Sequence, residues 1–123
     1  MAYVDGFIVP VSKKKLKTYL AMAKKSGKVW KDHGALEFHE TVADDVSMGK
    51  WTSFPRSVKQ KPGETVIFSW IVYKSRTHRD AVLKKVMKDP LMKTPPKDWP
   101  FDGKRMIYGG FKSVVMQIKK KKR

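Results

Sequence analysis

The sequence contains no cysteine. Disulfides, a thiol nucleophile and thiolate metal sites are excluded with it. Acidic residues are scarce, 11 against 28 lysines and arginines, for a formal net charge of +17. No apolar run approaches the roughly 20 residues that a membrane-spanning helix needs, so no membrane partner is expected. Met1-Ala2-Tyr3-Val4-Asp5 lacks the basic and apolar regions of a signal peptide, and a cytoplasmic protein is the expectation. No zinc-finger spacing, GxxG clamp or RNA-recognition sheet motif occurs. Gly103-Lys104-Arg105 lacks the upstream glycine and following helix of a phosphate loop. Nothing in the residues demands a metal, a nucleotide or another cofactor.

Material for one core is plentiful. The chain has 123 residues, 41% hydrophobic and 11% aromatic, which suits a single domain rather than two. Residues 1–118 read as that domain and 119–123, all basic, as a tail. Without the tail, 23 basic residues still face 11 acidic ones, so the body is basic too. Lys13, Lys14, Lys15, Lys17, Lys24, Lys25, Lys28 and Lys31 share one helical segment, mostly opposite its apolar stripe. The plain reading is a solvated helix face. The sharper one is non-specific attraction to nucleic acid through phosphate neutralisation.

Tyr3–Val11 is rich in β-branched and aromatic residues and reads as a strand. Ser12 is expected to cap a helix over 13–32, whose stripe is Leu16, Tyr19, Leu20, Ala23, Gly27 and Trp30. Gly27 inside it is unfavourable unless close packing against the sheet uses it. Gly34 is placed to end the helix. Residues 35–42 alternate as a second strand, with Leu36, Phe38, Glu40 and Val42 on one side and Glu37, His39 and Thr41 on the other. Residues 52–59 read as a weaker strand broken by Pro55, forming a hairpin with the strong strand 65–74 across Pro62-Gly63. A helix over 77–88 is capped by Ser75 or Thr77 and stopped by Pro90. Pro90, Pro95, Pro96 and Pro100 predict a loop without regular elements, and 105–118 a last strand with a bulge at Gly109-Gly110.

This order predicts an α+β, ferredoxin-like split βαβ fold: one antiparallel sheet with two helices on one face. The strands do not alternate as a one-sided sheet should. Val66, Phe68, Trp70 and Val72 oppose Ile67, Ile71 and Tyr73, and the first and last strands are apolar on both sides. Two helices cover one face only, so a second copy of the sheet is expected to cover the other. That gives a homodimer, with a barrel formed between subunits.

Tyr3-Val4-Asp5-Gly6-Phe7, Gly34-Ala35-Leu36, Phe68-Ser69-Trp70-Ile71 with Tyr73, Asp89-Pro90-Leu91-Met92-Lys93 and the long run Pro100 to Phe111 together resemble the YbaA-like family of small, uncharacterised bacterial proteins in the dimeric α/β-barrel superfamily. The last run is the most specific, and the likeness stops before the tail. The resemblance implies the ferredoxin-like fold and a dimer, but no activity. The superfamily includes enzymes with and without cofactors, so membership leaves the chemistry open.

Asp5, set among apolar residues, must be paired or have a raised pKa, and Arg105 is the expected partner. His39 beside Glu37 has no third ligand, so no metal site is expected there. Ser69 has no GxSxG elbow around it. Trp70 and Tyr108 read as core or as walls of a ligand pocket. Asp5, His39, Trp70, Arg105 and Tyr108 are therefore the pocket candidates. The functional expectation is a homodimer with a small-molecule pocket between sheet and helices. The alternative is a nucleic-acid-associated basic protein.

Overall fold

The computed structural model describes residues 2–93 and 99–119. Strand β1, Tyr3–Ser12, leads through one 3₁₀ turn, Lys13–Lys15, into helix α1, Leu16–Asp32. Strand β2 is Glu37–Val42, α2 is the four-residue helix Phe54–Ser57 and β3 is Glu64–Tyr73. Helix α3, Arg76–Lys88, a 3₁₀ turn at Pro90–Met92 and strand β4, Ile107–Lys112, complete the order. The strands lie as β2-β3-β1-β4, all pairs antiparallel. The fold is α+β and ferredoxin-like, with an open sheet rather than a closed barrel.

The two-residue period of the strands sorts side chains onto two faces. Val9, Val11, Ile67, Ile71 and Tyr73 turn to one face, where Tyr19, Ala23 and Val29 of α1 and Val82 and Val86 of α3 bury them. Gly27 is the point of closest approach. A methyl there would lie 2.8 Å from the Phe38 ring, so the glycine is what lets α1 settle on β2. The opposite face carries Ile8, Phe68, Trp70, Val72, Ile107 and Phe111. Helix α2 reaches it, setting Phe54 edge-on against Phe68.

Several local expectations are corrected. Residues 52–59 hold no strand. Ser53 accepts a hydrogen bond from the Arg56 amide and Pro55 sits in the first turn, where its missing N–H does no harm, so a short helix forms. The expected hairpin is therefore absent, and β3 pairs with β2 and β1 instead. Ser12 makes no side-chain cap, because the 3₁₀ turn intervenes before α1. The last strand ends at Lys112 rather than 118. Gly109-Gly110 forms no bulge, since each residue of β4 faces one residue of β1 in unbroken register. The proline-rich loop contains a 3₁₀ turn, with Asp89 accepting from the Leu91 amide. Pro95, Pro96 and tail residues 120–123 lie outside the described residues.

Candidate functional site

A cavity of about 890 Å³ lies between α1, the helix-covered face of the sheet and the connection that follows α3. Phe7, Ile71, Met22, Trp30, Met92 and Phe101 make its apolar walls. Part of its polar lining is a trio from three parts of the chain: Tyr19 on α1, Glu40 on β2 and Ser69 on β3. Sheet register makes half of that meeting, because Glu40 and Ser69 are direct cross-strand partners. The helix makes the other half by turning Tyr19 downward. The Tyr19 hydroxyl donates to both Glu40 oxygens, at 2.9 and 3.1 Å, and Ser69 also hydrogen-bonds to the carboxylate.

Burial pushes the Glu40 carboxyl above its usual range, while the bonds from Tyr19 and Ser69 pull it back in part. Burial, helped by the neighbouring Glu40 charge, raises the Tyr19 hydroxyl far enough to keep it protonated. The trio is thus one acceptor-rich carboxyl held by two hydroxyl donors inside an apolar enclosure. Such a group can accept a hydrogen bond from a bound molecule.

The structure disperses the five sequence candidates. Asp5 is buried on the helix face, but its partner is Arg79 of α3 at 3.0 Å, not Arg105. Tyr73 also hydrogen-bonds to Asp5, and Trp30 donates to the Tyr73 hydroxyl at 3.1 Å. Burial raises the Asp5 carboxyl against the opposing pull of Arg79. Arg105 is engaged elsewhere, donating to both oxygens of Glu64 at 2.8 and 2.7 Å and to Asp102 at 3.0 Å. That fork ties the segment before β4 to the start of β3.

His39 borders the cavity, yet its ring stacks on Trp70 with centroids 4.5 Å apart, and its Nε2 lies 2.8 Å from Glu37. No group of three metal-ligating side chains forms among the described residues. Trp70 sits beside Phe68 on the face away from α1 and α3. Tyr108 stacks on Phe7 but remains 72% exposed.

The sequence reading missed Glu40 and Tyr19. One signal was present: Glu40 shares the apolar side of its alternating strand with Phe38. The signal for Tyr19 was weaker, since its place on the apolar stripe marks any core tyrosine equally well.

The sequence model of the family described as "Protein of unknown function (DUF1428)" matches residues 2–103. The "Uncharacterized protein YbaA" of Escherichia coli K12 is 50% identical over 115 residues, which span 94% of this chain and 98% of that protein. The protein of the same description from Shigella flexneri matches to the same extent. Among solved structures, a dimeric ferredoxin-like protein from an uncultured marine organism superposes with a TM-score of 0.53 at 13% identity. That match covers 96% of this chain and 100% of the other.

Proposed function

The chain belongs to the DUF1428 family, and on that premise we propose that it is a homodimeric protein that binds a small organic molecule between its sheet and helix α1. The observation that carries the binding reading is the cavity of about 890 Å³, largely apolar, whose one carboxyl among the described lining residues is half-buried and held by the Tyr19 and Ser69 hydroxyls. A cavity serving only as a packing defect would have no use for a desolvated carboxylate, which is unfavourable to bury. A carboxyl that holds its proton more firmly than usual also suits general acid–base work. Binding alone is proposed.

The dimer reading rests on the other face of the sheet. Phe68, Ile107 and Phe111 are exposed there, and Val114, Val115, Met116 and Ile118 beyond β4 are exposed as well. An apolar surface of this kind is favoured to meet another, at about 25 cal/mol per Å² removed from water. The ferredoxin-like neighbour is described as dimeric, which supports a dimer for this chain. Joining two copies by that face would leave the cavity, on the opposite face, open to ligand.

A thermal-shift screen of small, mostly apolar compounds bearing one hydrogen-bonding group tests the binding reading. Ligand at about 100 times its Kd stabilises by about 2.7 kcal/mol, so hits raise Tm by several degrees. Met22→Trp, which narrows the cavity, removes those shifts. A screen without a single shift, or shifts that all survive Met22→Trp, overturns the reading.

A further inference from the structure

The cavity's polar chemistry is not confined to the trio. Lys25 of α1 and Lys93, just beyond the 3₁₀ turn that follows α3, also border it, and both are exposed. They belong to different segments, so two separate parts of the chain each bring a lysine to the cavity. Glu40 is the only acidic side chain among the described residues that border it. Its oxygens are already directed toward Tyr19 and Ser69, so among the described residues of the lining no carboxylate is set aside for the two lysines. Aromatic and aliphatic side chains, Phe7, Met22, Trp30 and Phe101 among them, make up most of the remaining lining.

Building on the reading of this cavity as a ligand site, we propose that its ligand is an amphipathic hydroxy acid. An apolar body fills the walls, a carboxylate lies against Lys25 and Lys93, and a hydroxyl donates to Glu40 within the Tyr19–Ser69 cluster. The chemistry selects each part. Exposed ammoniums bind a carboxylate by simple charge attraction, without a rigid fork. A carboxylate oxygen has more than one acceptor site, so Glu40 can take a ligand hydroxyl while keeping Tyr19 and Ser69. The apolar body removes wall and ligand surface from water together. A cationic ligand group is disfavoured by a chain of net charge +17 with two lysines bordering the cavity.

Three probes of equal chain length separate these contributions: ω-hydroxyoctanoate, octanoate, and the methyl ester of ω-hydroxyoctanoate. Their affinities are measured by isothermal titration calorimetry, with binding located by amide chemical-shift changes. The hydroxy acid is expected to bind tightest, with shifts along α1 and β2. Loss of the hydroxyl or of the charge each weakens binding about tenfold, the scale of one hydrogen bond or one partly screened charge contact. The double variant Lys25→Ala/Lys93→Ala, confined to exposed positions, erases the advantage of acid over ester. Equal binding of acid and ester, or an acid preference that survives the double variant, overturns the hydroxy-acid assignment. Ester binding within α1 and β2 would in that case still support the cavity as a ligand site. Absence of binding by all three probes overturns the assignment too, and the compound screen then decides separately whether the cavity binds anything.

Discussion

A carboxylate on the covered side of a strand is unfavourable unless its oxygens find donors, and Glu40 finds two in Tyr19 and Ser69. They do not fully compensate, and burial leaves its pKa raised. The folded chain therefore keeps the Glu40 proton over a pH range in which the unfolded chain has lost it. The contribution of this group to stability is complete below the unfolded value near 4.5 and declines as pH rises through the folded one. Glu40→Gln removes the ionisation while its amide oxygen still accepts from Tyr19. The variant is expected to melt close to wild type at about pH 4 and above it at about pH 8. Melting curves at the two pH values check this, and a constant difference between the proteins would contradict it. Asp5 makes a different point at the same scale. The sequence implied a partner, but Arg79 lies 74 residues away on a helix whose docking no local pattern states.

At the scale of elements, the two long helices and the four strands were legible, the last strand only in part, because their signals are local: apolar period, Ser75 before α3, Pro90 after it. Residues 52–59 were not, since a β-rich composition competed with Ser53 and Pro55, and the helical turn they favour prevailed. The contact of α1 with β2 rests on one missing methyl. Gly27→Ala gains up to about 1 kcal/mol of helix propensity, but crowding against Phe38 costs about 1–3 kcal/mol. A net loss of about 1 kcal/mol is expected in urea denaturation. Phe38→Leu in the Gly27→Ala background should recover part of it, because the smaller side chain makes room. Additive effects of the two substitutions would show that the contact is not responsible.

At the scale of the molecule, the sheet has more apolar surface than its helices conceal. Phe111, whose ring lies over Gly6 and Gly109, is 64% exposed. Sedimentation equilibrium is expected to report twice the chain mass of 14.2 kDa. Phe111→Glu and Phe68→Glu, each placing a charge on that face, should return it to the single-chain mass with α1 and α3 still folded by circular dichroism. A wild-type protein that sediments as a single chain rules the arrangement out. The positive charge belongs to this scale as well. Seven of the eight lysines from Lys13 to Lys31 are exposed, and Lys28 pairs with Asp32 across one turn, as on a solvated helix face.

Taken alone, the amino-acid sequence determined the four strands and two long helices in outline, though it also proposed a strand at 52–59 that does not form, together with the ferredoxin-like order and the two apolar faces of the sheet. Each of these follows from periods of two or about 3.6 residues and from capping residues close by. Only the tertiary structure decided which polar groups meet. Tyr19 and Glu40 are 21 residues apart, and Arg105 and Glu64 are 41 apart. Those meetings depend on the strand order β2-β3-β1-β4 and on how closely α1 lies on β2, and both are properties of the packed chain rather than of any stretch within it.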